Sequence, residues 1–196
     1  AEIHTEAFAE MDSLTSITLN EGIEWINEKV FYGSTNIKSL TIPASMRIMA
    51  YNAFVGMDLD TLTVDPLNID FVSDSNGIIY TADMMSLTHY HENIDIMHFV
   101  VPSTVNYVYA DFGENQYIEE ITFSENVQSI SSPGLSYCPN LTMIHFLSYD
   151  RPAVALSNYA PFPLDKPTLF IFTPSGYVEY YKDSIYFTYY IDNLYI

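Results

Sequence analysis

Several columns of apolar residues keep one common step along this chain. Phe8, Phe31 and Phe54 are 23 residues apart, and so are Ala7, Val30 and Ala53. Leu14 and Ile37, Ile17 and Leu40, Leu19 and Ile42, and Ile23 and Met46 follow at the same step of 23. A third copy is one residue shorter after Met57 and carries Leu59, Leu62 and Val64. The spacing returns in Ile96, Phe99, Val101-Pro102 and Val105, then in Ile118, Ile121, Phe123 and Val127, then in Leu141, Ile144 and Phe146. Phe112 and Leu135 occupy the Phe8 column of the later copies. One column in step is easily a coincidence, but many columns in step define a repeat of 20–50 residues, the mark of a stacked architecture.

Each copy holds an L-x-I or I-x-F segment whose alternate residues point inward, as in a strand. A turn follows, often opened by proline or by Asn20-Glu21-Gly22. An A-F segment then packs a phenylalanine from the far side. One copy cannot bury its own apolar face, so copies must stack and share a core. The expected fold is a solenoid of about six coils of 22–23 residues, mostly β strands with short helices and turns. Met11, Ser34, Met57, Asn115 and Cys138 share one column at a loop-to-strand corner, which makes Cys138 a packed residue rather than a nucleophile.

The repeat breaks between Asn68 and Asp95. Alternation around Asn76-Gly77 predicts a strand at Phe71–Ser73, a turn through Asp74-Ser75-Asn76-Gly77, a strand at Ile78–Thr81 and another at Ser86–Tyr90. From Arg151 the repeat stops: four prolines mark a loop, followed by a strand at Leu169–Phe172, a short helix near Tyr177–Asp183 and an aromatic end. The expected organisation is a solenoid over residues 1–149, with a hairpin insertion at 68–95, and a loop and C-terminal cap of the same domain over 150–196. Such an end piece keeps the last coil dry.

The motif I-x-x-x-A-F-x-x-M/C-x-x-L-x-x-I-x-I-P-x-x-V is carried by Ile3–Ile23, Trp25–Met46, Met49–Val64, Ile96–Val105, Val108–Val127 and Ile130–Phe146. It resembles the leucine-rich repeat of the BspA-like (Treponema pallidum-type) surface proteins. The 68–90 insert is similar to that family's N-x-x-F-x-S-x-x-G-x-x-Y hairpin, and "LFIFTPSGYVEYYKD" to its terminal V-P-x-G-x-x-x-x-Y-K element, with Phe172-Thr173-Pro174 where Val-Pro is common. The resemblance implies a right-handed β/α-type solenoid and a bacterial cell-surface or secreted protein, compatible with a lipoprotein anchor upstream of Ala1. It also implies adhesion or protein binding, with host matrix or mucosal proteins as the partner class, and no catalytic residues.

Bulk properties narrow the partners. A net charge of −19, from 25 acidic and 6 basic residues, repels nucleic acid and anionic membranes. No run approaches the length of a membrane span, and Ala1-Glu2 does not open a signal peptide, so the chain reads as a mature or trimmed form. A single cysteine allows neither an internal disulfide nor a cysteine-based zinc site. No nucleophile elbow, phosphate loop or dinucleotide fingerprint appears. No enzyme activity and no cofactor are expected.

Candidate binding residues come from the outward strand positions. The residue between two inward positions is Thr18, Thr41, Thr63, Val100, Thr122 or His145, and the one just before the strand is Ser16, Ser39, Thr61, His98, Glu120 or Met143. Threonine suits an exposed strand without any ligand, yet this is also the face on which solenoids bind. The binding set drawn from it is Thr18, Thr41, Thr63, Thr122, His98 and His145. Tyr189 and Tyr190 join it from a tail rich in tyrosine, a residue that interfaces favour. These could cap the solenoid or contact a protein or glycan. A structural spacer in a longer protein is the third reading. His89 and His91, with His98 or Glu92, offer only a weak metal pattern, and turn chemistry accounts for Asp74, Asn76 and Asp83 without calcium. No metal is expected.

Overall fold

The computed structural model describes residues 1–131, 134–150, 153–154, 162, 168–182 and 194–195. They fall into two compact units, Ala1–Ile94 with Ala110–Gly113, and Asp95–Tyr109 with Glu114–Ile196. Along the chain the first unit contributes β1 (Glu2–Ile3), β2 (Trp25–Ile26), β3 (Ser39–Ile42), β4 (Ile48–Met49), β5 (Thr61–Val64), β6 (Phe71–Ser73), β7 (Ile79–Thr81) and β8 (Ser86–His89). The second contributes β9 (His98–Val100), β10 (Tyr107–Val108), β11 (Glu120–Phe123), β12 (Ser129–Ile130), β13 (Met143–Phe146), β14 (Ala153–Val154), β15 (Phe170–Phe172), α1 (Val178–Lys182) and β16 (Leu194–Tyr195). The chain is a leucine-rich repeat β-solenoid of about six turns, in which α1 is the one helix among the described residues.

Strands of successive coils pair in parallel and in the register of the repeat. In the first unit β3 lies on β5 with Leu40 opposite Leu62 and Ile42 opposite Val64, all four buried. The short strands β1, β2 and β4 form a second parallel ribbon, with Ile3 opposite Ile26 and Ile26 opposite Met49. Between the ribbons lies the phenylalanine column: Phe8 and Phe31 stack at 5.6 Å and Phe31 and Phe54 at 6.3 Å, rings within 14° of parallel. The step of 23 becomes ring-on-ring contact because one coil advances by one strand spacing. In the second unit the inward positions of β11 and β13 do the same, with Phe123 stacked on Phe146 at 5.1 Å.

Among the described residues the far side of the coils turns without a helix. Backbone hydrogen bonds spanning three residues, such as Ala7 N to His4 O and Ser34 N to Phe31 O, shape it. Glu10, Gly33 and Gly56, one repeat apart, all hold left-handed φ angles of 56°, 75° and 74°. Glycine meets that demand without strain; Glu10 meets it with a side chain attached. At Gly56 an added Cβ would lie 3.0 Å from the Tyr32 ring.

The insertion is a three-stranded antiparallel meander, β6 on β7 and β7 on β8, as the alternation around Asn76-Gly77 predicts. The buried Asn68 side chain anchors it. Its amide donates to the carbonyls of Pro43 and Met46 at 2.8 and 3.0 Å, and its Oδ1 accepts from the backbone N–H groups of Asp70 and Phe71 at 2.9 and 2.8 Å. Asparagine, with two donors and an acceptor of two lone pairs, fills all four places. At the end of the second unit, Tyr181 from α1 packs on Phe146 at 5.4 Å and donates its hydroxyl to Ser148 O at 2.9 Å. Phe162 meets the same ring edge-on at 6.1 Å.

Candidate binding face

With Phe99, Ile121, Phe123, Ile144, Phe146 and Ile171 buried, their strand neighbours in β9, β11, β13 and β15 face outward. Parallel register lines these outward residues into two rows across the sheet. Val100, Thr122, His145, Phe172 and Tyr195 form one, and His98, Glu120, Met143 and Phe170 form the other.

Glu120 ties two of the predicted residues together. Its Oε2 lies 2.9 Å from His98 Nδ1 and its Oε1 lies 3.3 Å from His145 Nε2, so one carboxylate serves two imidazoles. The His145 ring then lies on Phe172 at 4.6 Å with planes 7° apart. Tyr195 extends the cluster, 5.9 Å from Phe172 and 5.3 Å from Phe170. Phe170 and Tyr195 remain 39% and 40% exposed. A groove of about 460 Å³ runs beside the rings, lined by His145, Leu147, Tyr149, Phe172 and Pro174 among others.

The equivalent face of the first unit is chemically different. Ser39 faces Thr61 and Thr41 faces Thr63 across the β3–β5 pair, and the two threonine hydroxyls meet at 3.0 Å. Thr18 and Ser16 line a groove of about 490 Å³ with Ser39 and Thr41, bounded by Glu21 and Asp65. Thr18 sits in extended chain that pairs with no strand. The structure thus groups Thr18, Thr41 and Thr63 on one unit, and His98, Thr122 and His145 on the other. Tyr189 and Tyr190 lie outside the described residues. Sequence reasoning did not include Glu120, Phe170, Phe172 or Tyr195 in the binding set. For Phe170 and Phe172 the available signal was the alternation in "LFIF".

His89 and His91 are core residues. His89 Nε2 donates to Ala50 O at 2.8 Å and its ring lies against Phe54 at 5.2 Å. Burial pushes its pKa down to about 4 and lowers that of His91 as well, while burial raises that of Asp111 beside them. The cavity they line with Glu92 and Asp111 measures only about 20 Å³. Among the described residues no group of three or more histidine, cysteine or acidic side chains could hold a metal ion. Asp74 Oδ1 accepts from the N–H groups of Asn76 and Ile78, and Asp83 Oδ1 accepts from Met85 N and the Thr81 hydroxyl. Those carboxylates shape turns. Cys138 is buried. Among the described residues no helix is long and apolar enough to cross a membrane.

Comparisons with known proteins agree with the coil. The family model for the BspA type leucine-rich repeat region matches in six copies over residues 1–75 and 86–152. A leucine-rich repeat protein from Eubacterium ventriosum is similar in structure, with a TM-score of 0.57 at 21% identity, over 81% of this chain and 47% of that one. The pneumococcal vaccine antigen PcpA is similar with a TM-score of 0.51 at 14% identity, over 93% of this chain and 66% of that one. At these identities the likeness is one of fold, and the chain spans under half of the first protein and about two thirds of the second. No curated protein matches the chain. Repeats of this kind are generally non-catalytic interaction modules. With its motif matched along most of its length and its coils stacked in that motif's register, the chain belongs to the BspA type leucine-rich repeat family.

Proposed function

We propose that this chain is a non-catalytic protein-binding or adhesion module of a bacterial cell-surface or secreted protein. It would bind a host matrix or mucosal protein through the outward face of β9, β11, β13, β15 and β16. The observation that carries this reading is the pair of register rows ending in Phe170, Phe172 and Tyr195, which keep aromatic surface in water where a strand needs none. The similarity to a pneumococcal vaccine antigen supports a surface or secreted setting. The hydroxyl face of the first unit is the weaker candidate, because Ser39, Thr41, Thr61 and Thr63 have hydrogen-bonding groups but no ring to anchor a partner.

The test is capture of matrix and mucosal proteins on immobilised wild type, on Phe172→Ala and on a Thr41→Ala/Thr63→Ala double variant. A specific partner whose affinity falls more than about tenfold with Phe172→Ala and less than about twofold with the threonine pair is the expected result. Capture that follows the threonine pair instead moves the binding face to the first unit. Capture of glycans rather than proteins by the same rings replaces the partner class.

A further inference from the structure

The outer row of the second unit ends beside a groove whose chemistry narrows the partner further, given the binding face proposed above. On one side of the groove the His145 imidazole lies flat on Phe172 at 4.6 Å. Tyr149, also on the lining, is 64% exposed and is braced edge-on by Tyr177 at 5.2 Å. Among the described residues no lysine or arginine lines it. The exposed Asp150 follows Tyr149 in the chain, and the lining His145 is itself held by Glu120 at 3.3 Å. The whole chain holds 25 acidic against 6 basic residues. A slot with exposed aromatic faces on a strongly acidic chain suits a flat, weakly hydrated cation, which describes guanidinium better than ammonium.

We infer that the partner presents a cationic protein segment, and that an arginine side chain of that segment enters this groove with its guanidinium plane over the Tyr149 ring. The Asp150 carboxylate draws its charge, and the aliphatic stem packs against Leu147 and Pro174. The acidity of the chain then speeds and orients encounter, while the rings hold the side chain that arrives. A neutral sugar could stack on the same rings but would gain nothing from the carboxylate or from the net charge.

The experiment is a calorimetric titration of the intact chain with a short arginine–glycine peptide. The same peptide with citrulline, which keeps the planar group and loses the charge, is the control. Wild type, Tyr149→Ala and Tyr149→Phe are compared, the last keeping an aromatic face and reporting on folding. Binding of the arginine peptide, about tenfold weaker for Tyr149→Ala, retained by Tyr149→Phe and abolished with citrulline, is the expected pattern. No binding, equal binding of citrulline, or indifference to Tyr149→Ala overturns the inference, the last because bulk charge alone would then explain the attraction. A silent peptide with matrix capture still lost on Phe172→Ala removes only the arginine. Capture unchanged by Phe172→Ala removes the face as well.

Discussion

The β3–β5 pair and the β9–β16 sheet are built on one plan and finished differently. In both, alternate residues point into a core of leucine, isoleucine, valine and phenylalanine, and the register between coils keeps like residues opposite one another. Outward, the first carries serine and threonine, and the second carries histidine, glutamate, phenylalanine and tyrosine. The difference teaches where selection for folding ends. Inward positions are tied to the repeat because a coil that loses one loses a neighbour's packing too. Outward positions need only tolerate an extended strand, which threonine does well. Aromatic rings and a shared carboxylate exceed that need, which is why the binding face is proposed there.

The comparison can be attacked first at the cores, where the two units should behave alike. Phe31→Ala and Phe123→Ala each empty a fully buried ring site in a stacked column, and each should cost about 3–5 kcal/mol in denaturant melts. A loss confined to one of them would mean that the two columns do not carry equal weight.

Acid should then separate the units. His89 is buried and neutral with its pKa pushed down to about 4, so an unfolded chain takes up its proton before the folded one does. Stability from this group is intact above the ordinary histidine range and falls as pH drops from about 6.5 to about 4, by on the order of 3 kcal/mol. His91, also lowered, acts in the same direction; Asp111, raised by burial, favours the folded state on acidification and offsets part of the loss. The second unit's two histidines, His98 and His145, are not buried. Hydrogen exchange at pH 7 and at pH 4 should show protection lost first around β6, β7 and β8. Equal loss in both units would remove the assignment to His89.

The smallest effect is the most telling for the outer faces. Phe170→Thr should cost about 1 kcal/mol, the size of a cross-strand pair, and Thr61→Ala no more than about 0.5 kcal/mol, because neither side chain is part of the core. A larger loss for Phe170→Thr in a thermal melt would show that its ring serves the fold, and the aromatic row would lose its meaning as a binding surface.

Much of this was legible from spacing. The inward columns through Phe146, the meander at Phe71–His89, the short helix before Asp183 and the burial of Cys138 all follow from periodicity and turn chemistry. His98 and His145 could be assigned to the outer face in the same way, as could Thr41 and Thr63. Thr18 follows the column but joins no sheet; its coil pairs with the next in strand only through β1 and β2. Phe170 and Phe172 fell outside the columns because Met143 and Phe170 are register partners 27 residues apart, which breaks the step of 23 that made the other columns visible. The Glu120 bridge was hidden for another reason. Sequence spacing places residues side by side on a sheet but says nothing of the rotamers that let one carboxylate reach both neighbours.

Cys138, the single thiol of the chain, has no surface open to solvent and sits in the coil that ends in β13. A thiolate must be reached to react. While the second unit is closed, a thiol-modifying reagent therefore finds no thiol to attack in this chain. Once that coil opens, there is one, and the pace of its modification tracks how often the coil comes apart.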